Sequence, residues 1–199
     1  MKINNLVILD RDGVINYDSA SYIKSASEWR PLPGSITAIA NLSKAGFKIT
    51  VATNQSGVGR GLFTQNSLDQ IHDKMLKLVI EAGGEIDAIF ICPHIPEDYC
   101  ACRKPNPGLI YQALKKFDVD TKNNNPQVPV VGDSLRDLQA AQSANCNPIL
   151  VTTGNGCKTL DTIQNNPELS AQFANLLVCA DLFQASEVII EKYAHPLVS

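Results

Sequence analysis

No stretch of this sequence approaches the ~20 consecutive apolar residues that a membrane-spanning helix needs. The first apolar run, at residues 6–9, meets Asp10, Arg11 and Asp12 at once and is too short for the core of a secretory leader. No membrane anchor is expected, and the cytoplasm is the expected compartment. Positive charge is not in excess either: 17 Lys and Arg stand against 20 Asp and Glu, a net charge of −3. A global field that would gather nucleic acid or anionic lipid is therefore excluded. Aromatic residues, at 6%, are too few to interleave a basic stripe with stacking platforms. Internal repeats and low-complexity segments are absent, and Asn123-Asn124-Asn125 before Pro126 reads as a polar loop.

What remains is ordinary globular material: 199 residues, 44% hydrophobic and 19% charged, enough for a single domain over 1–199 with its own core. Apolar, β-prone runs fall at 6–9, 47–52, 86–91, 128–131 and 149–151, with a weaker one at 176–179. Helix-period segments separate them. The clearest places Leu68, Ile71, Met75, Leu78, Val79 and Ala82 on one face and stops at Gly83-Gly84. A second carries Ile110, Ala113, Leu114 and Phe117 behind Pro107, and a third spans about 135–144. Strand and helix in alternation imply a Rossmann-like, doubly wound parallel sheet with helices on both faces. Ligands of such sheets bind beyond the carboxyl ends of the strands. The polar residues stand there: Asp10 and Asp12 after the first run, Thr53-Asn54-Gln55 after the second, Cys92 and His94 after the third, Gly132-Asp133 after the fourth.

Asp10-Arg11-Asp12-Gly13 closes the first run. If the backbone stays extended, its two-residue period points both carboxylates to one side. One can attack phosphorus while the other protonates the leaving oxygen and then activates water. Two merely solvated loop acids would look the same in isolation. An EF-hand reading fails, because the further acidic ligands are not at the required spacing.

Cys92-Pro93-His94 and Cys100-Ala101-Cys102 bring three thiols and an imidazole within eleven residues. That is one complete tetrahedral set of the kind that holds structural Zn²⁺, here in a loop at about 92–104. Cys146, Cys157 and Cys179 lack such neighbours and read as small core or half-buried residues.

Residues 7–16 resemble the first motif of the haloacid dehalogenase-like phosphatase superfamily. Thr53-Asn54, Lys104 in Arg103-Lys104-Pro105, and Gly132-Asp133-Ser134-Leu135-Arg136-Asp137 resemble the second, third and fourth, in order. The resemblance implies Asp10 as nucleophile and Asp12 as acid and base. It implies Mg²⁺ on the side chains of Asp10 and Asp133 and the main-chain carbonyl of Asp12. Thr53 and the Asn54 amide are then expected on the phosphate, Lys104 against its charge, and Asp137 orienting Lys104 or a metal-bound water. For Asp137 an ordinary helix-start acid is the competing reading.

The C-x-H…C-x-C-R-K-P loop is similar to that of two related phosphatase groups, the D-glycero-D-manno-heptose 1,7-bisphosphate 7-phosphatases and the histidinol-phosphate phosphatases. Asn16-Tyr17-Asp18, Tyr22-Ile23-Lys24-Ser25, Glu28-Trp29 and the stretches at 52–57 and 60–64 are nearer the heptose group. That implies a small sugar phosphate substrate on the route to nucleotide-activated heptose and lipopolysaccharide core. Ser134 stands where some enzymes of the group have a lysine, and the loop Thr153-Gly154-Asn155-Gly156 where a lysine is common, so the bisphosphate preference and the anomer stay open.

Arg103 and Arg60 are candidates for a second phosphate, since a guanidinium binds it bidentately. Ser19 and Ser21 are candidates for the sugar side. Gly57-Val58-Gly59-Arg60-Gly61 mimics a dinucleotide fingerprint only in part and reads as a mobile rim loop. His72 and His195 have no evident constellation, and Trp29 reads equally as packing or as a substrate platform. Neither 13–47 nor 55–103 has room for a large cap domain, so an open site is expected. A DNA 3′-phosphatase and a non-catalytic zinc-stabilised binding module are the more distant alternatives. A monomer is the default.

Overall fold

The computed structural model describes residues 5–119 and 127–194; the polar loop at 123–126 and His195 lie outside that range. The elements run β1 (Leu6–Leu9), α1 (Ser35–Lys44), β2 (Lys48–Asn54), α2 (Ser56–Gly59), α3 (Gln65–Glu81) and β3 (Ala88–Cys92). After a 3₁₀ turn at Pro96–Asp98 come α4 (Gly108–Lys116), β4 (Pro129–Gly132), α5 (Leu135–Ser143) and β5 (Asn147–Val151). The described chain ends with α6 (Gly156–Gln164), α7 (Pro167–Gln172), β6 (Leu177–Cys179) and α8 (Leu182–Tyr193). None of these helices is long and apolar enough to cross a membrane.

All strand pairs are parallel, in the order β3-β2-β1-β4-β5-β6. The winding reverses between β1 and β4, which opens a crevice beyond their carboxyl ends. Each residue of these two strands is buried, as expected of a sheet covered on both faces. The period-two alternation sorts their side chains. Val7 and Leu9 join Ile71 and Met75 of α3, Ile39 of α1 and Ile189 of α8 on one face. Leu6 and Ile8 meet Leu109, Ile110 and Ala113 of α4 and Ala141 of α5 on the other. Truncating any one of the large residues to alanine should cost about 2–5 kcal/mol.

Sequence periodicity finds only the helix at 182–193 beyond residue 158, yet α6 and α7 also lie in that part of the chain. Their signal is weak because α6 buries only Gly156, Thr159 and Ile163, and α7 buries nothing fully. The supposedly mobile rim contains the four-residue helix α2. Its Gly59 N–H donates to the Pro93 carbonyl at 3.1 Å, and a Cβ there would collide with that oxygen. Trp29 is fully buried, which decides for packing, and Cys157 is exposed rather than half-buried. β2 and β3 reach Asn54 and Cys92, so these residues and Thr53 close strands instead of following them.

Candidate active site

The ladder outlasts β1 by one residue, because the Asp10 N–H donates to the Val131 carbonyl at 2.9 Å. The backbone then turns on Gly13, whose φ is +83°, and the Gly13 N–H closes the turn on the Asn16 carbonyl at 2.8 Å. A Cβ on Gly13 would occupy the carboxylate of Asp133, so the residue is glycine for reasons of both space and conformation.

Lys104 reaches this point from a loop 94 residues away in sequence. Its ammonium donates to Asp10 Oδ1 at 2.8 Å and to the Ala52 carbonyl at 2.7 Å, and pairs with Asp137 Oδ1 at 2.5 Å. Burial opposes that charge, yet Asp10 and Asp137 hold the ammonium's pKa above its ordinary value. Burial likewise works to raise the Asp137 carboxyl, but Lys104 prevails and brings it below the usual range. Asp137 also accepts from the N–H of Ser134 at 3.1 Å and from its hydroxyl, a capping box on α5. The two readings of Asp137 are thus one arrangement: the helix cap is also the partner of the lysine.

Asp10 and Asp133 differ from it. Burial, with the negative charges of Asp137 and Asp133, pushes Asp10 up to about 7 against the pull of Lys104. Burial and Asp137 push Asp133 up to about 6 against its bonds from Asn155. Oxygens of Asp10, Asp133 and Asp137 lie within 4.8 Å of one another, a set that could hold a metal ion. With Asp137 engaged by Lys104 and Ser134, the under-neutralised pair is Asp10 and Asp133. Hard oxygen donors of this kind, crowded enough to resist ionisation, suit Mg²⁺. Asn155 steadies Asp133 from the far side, by its N–H at 2.7 Å and its amide at 3.2 Å, and the same amide reaches Asp18 Oδ2 at 3.2 Å.

Asp12 is held from three directions. Arg11 donates to both of its oxygens, Asn16 Nδ2 to Oδ1 at 2.9 Å, and Gln55 Nε2 to Oδ2 at 2.8 Å. Gln55 also bonds the Thr53 hydroxyl at 2.9 Å, so the acid and the end of β2 share one donor. Asn54 turns its side chain to the backbone of Lys104, donating to its carbonyl and accepting from its N–H, both at 3.1 Å.

These groups floor a cleft of about 220 Å³. Among the sequence candidates it is lined by Asp10, Asp12, Ser19, Thr53, Asn54, Arg103, Lys104, Asp133 and Asp137. Ser21 and Arg60 are exposed and lie outside the lining, Arg60 at the end of α2. Gln55, Arg136 and Asn155 line the cleft but are not singled out by sequence. Arg136 stands inside the fourth motif, which was the available signal.

Cys92, His94, Cys100 and Cys102 converge as their spacing implies. Their ligand atoms are 3.3–3.7 Å apart in the closest pairs. Four ligands at ~2.3 Å from a tetrahedral zinc would be spaced by about 3.8 Å, so the donors fit that ion. Burial pushes the Cys92 thiol up to about 12. Zn²⁺ would displace that proton outright. Arg103 Nη1 donates to the His94 carbonyl at 3.1 Å, and Asn106 Nδ2 to the Cys100 carbonyl at 2.8 Å. The loop that carries Lys104 is thereby folded against the cluster.

A family model described as HAD-hydrolase-like matches residues 101–178. The D-glycero-beta-D-manno-heptose-1,7-bisphosphate 7-phosphatase of Bordetella bronchiseptica is 50% identical over 187 residues, covering 94% of this chain and 98% of that protein. The enzyme of the same name from Neisseria meningitidis serogroup A is 45% identical, covering 96% and 97%. The crystal structure of D,D-heptose 1,7-bisphosphate phosphatase from B. bronchiseptica, complexed with magnesium and phosphate, superposes with a TM-score of 0.85 at 50% identity. It covers 94% of this chain and 99% of that one.

Proposed function

Since the chain belongs to the D-glycero-β-D-manno-heptose-1,7-bisphosphate 7-phosphatase family of the haloacid dehalogenase-like hydrolases, we propose that it removes the 7-phosphate of that β-configured bisphosphate. The product would feed nucleotide-activated heptose for lipopolysaccharide core. The observation that carries this reading is the ammonium of Lys104 set between Asp10 and Asp137, with Asp133 within 4.8 Å of both carboxylates.

Asp10 Oδ attacks phosphorus, and the bond from phosphorus to the sugar oxygen breaks as Asp12 gives that oxygen a proton. Asp12, now ionised, takes a proton from water, whose oxygen attacks phosphorus; the aspartyl bond breaks and Asp10 is restored with free phosphate. Lys104 offsets negative charge on Asp10 and on the phosphoryl oxygens, while the Thr53 hydroxyl and the Asn54 N–H hold those oxygens. Mg²⁺, held by Asp10, Asp133 and the Asp12 carbonyl, would add Lewis-acid stabilisation of the same charge. Arg103 and Arg136 offer the second phosphate a bidentate grip from the cleft wall, and Ser19 faces the sugar. Zn²⁺ on Cys92, His94, Cys100 and Cys102 would be structural.

The test is phosphate release with Mg²⁺ from both anomers of heptose 1,7-bisphosphate, histidinol phosphate, fructose 1,6-bisphosphate and a 3′-phosphorylated oligonucleotide. A preference of orders of magnitude for the β-heptose ester is expected. A comparable rate on any other member would discard the substrate while leaving Asp10 in place.

A further inference from the structure

Arg11 stands between the two aspartates, yet its side chain is 1% exposed and does not line the cleft. From behind the site its Nε and Nη2 reach Asp12 Oδ1 at 3.1 and 2.9 Å, and Nη2 also reaches Oδ2 at 2.9 Å. Its remaining nitrogen, Nη1, lies 3.3 Å from Nε2 of His72. A guanidinium donates and never accepts. His72 Nε2 must therefore present its lone pair, which makes the ring the neutral Nδ1–H tautomer. Burial, reinforced by the Arg11 charge, keeps the ring neutral by lowering its pKa to about 4. α3 otherwise sends Leu68, Ile71, Met75 and Val79 inward, so His72 is the one polar residue it buries.

We propose that Arg11 and His72 are positioning residues for proton transfer by Asp12: the imidazole lone pair sets the plane of the guanidinium, and the guanidinium sets the plane of the carboxyl group. The role presupposes that Asp12 is the acid and base described above. When the ester bond breaks, the proton must pass from Asp12 to one oxygen, and a carboxyl group free to rotate would miss it for part of the time. Asn16 and Gln55 also hold Asp12, but each is a neutral donor through a single nitrogen. The charged fork of Arg11 supplies the stronger directional bond.

The deciding experiment is single-turnover formation of phosphoenzyme from two esters. An alkyl phosphate needs a proton on its leaving oxygen, whereas p-nitrophenyl phosphate leaves as a stable phenolate. His72→Phe removes the acceptor and is expected to slow the alkyl ester roughly 10- to 100-fold while changing the aryl ester by less than about threefold. Arg11→Lys keeps the charge, loses the fork and should show the same selective loss. His72→Gln restores an acceptor and should recover most of the alkyl rate. Equal slowing of both esters, or no slowing, overturns the proposal. Asp12→Asn run alongside separates the premise from the inference. If it slows both esters alike, Asp12 is not the acid; if it alone shows the selective loss, only the positioning role falls. Should His72→Phe fail to fold, Arg11→Lys decides by the same ratio.

Discussion

Lys104 and Asp137 form an ion pair in which both partners are almost fully buried, with side chains 5% and 3% exposed. The other two protons of the ammonium go to Asp10 and the Ala52 carbonyl, so all three are directed. A charge so completely enclosed is a fixed point around which the remaining acids are arranged. Replacing Lys104 with Met should leave Asp10 and Asp137 without a counter-charge and cost about 3–5 kcal/mol, besides abolishing turnover. Urea unfolding at neutral pH measures it, and a loss below about 1 kcal/mol would contradict the charge accounting.

Asp10→Asn should behave in the opposite way. It removes one of several crowded carboxylates, and the wild-type group already titrates at about 7. Phosphate release is expected to fall by several orders of magnitude with the melting temperature held or raised. A variant that is inactive because it is unfolded would say nothing for a nucleophile, so circular dichroism belongs with the assay.

His72 should leave its mark on stability. In the unfolded chain the ring titrates near ~6.5, whereas in the fold it titrates at about 4. Between these values the unfolded state binds the extra proton. The contribution is therefore fully present above about 6.5, declines as pH falls, and levels off near 4, a total on the order of 3 kcal/mol. The ring faces Arg11 from the turn after β1, with Asp69 on its own helix and Asp12 as weaker opposing charges. The difference in unfolding free energy between wild type and His72→Gln, followed from pH 7 to 4, isolates this part. A pH-independent difference would refute it.

Gly154 and Gly61 make a matched pair. Both have positive φ, +56° and +67°, so alanine strains either by about 1–2 kcal/mol. Only at Gly154 would the new methyl run into the carboxylate of Asp133; at Gly61 nothing lies within 4 Å. Gly154→Ala should raise the Mg²⁺ concentration for half-maximal activity by about 10-fold or more, and Gly61→Ala should leave it in place. Equal Mg²⁺ dependence in the two variants would break the link between Asp133 and the cation.

One Zn²⁺ per chain is expected on elemental analysis. Stripping it with a strong chelator, or replacing Cys102 with Ser, should lower the melting temperature and also turnover, without rescue by excess Mg²⁺. Activity that survives full removal of zinc would detach the cluster from the placement of Lys104.

The residues that sequence reveals and those it hides differ in how far apart their partners stand. Asp10, Thr53 and Asp133 are legible because each closes an apolar run, and a parallel sheet brings such ends to one edge. The thiol–imidazole set is legible because its four members fall within eleven residues. Arg11 and His72 meet across 61 positions, Gln55 and Asp12 across 43, and Asn155 and Asp18 across 137. Periodicity tells which face of α3 is buried, and so that His72 adjoins it, but it carries no information on which polar group waits there. Arg60 and Ser21 illustrate the converse. Chemistry recommends them, and only the path of the backbone through residues 17–25 and around α2 keeps them out of the cleft lining.

The paired hydrogen bonds between Asn54 and the backbone of Lys104 fasten one end of the cysteine–histidine loop to the sheet, and β3 fastens the other at Cys92. Between the two halves of the ligand set lie residues 95–99, including Tyr99 at 91% exposed. Their length and composition can drift without moving the ammonium by much, because neither anchor depends on them. Insertions, grafts and random libraries placed there should be tolerated where the same changes at 100–104 are not. The molecule thus holds a short stretch open to rewriting, joined to a lysine whose position is not negotiable.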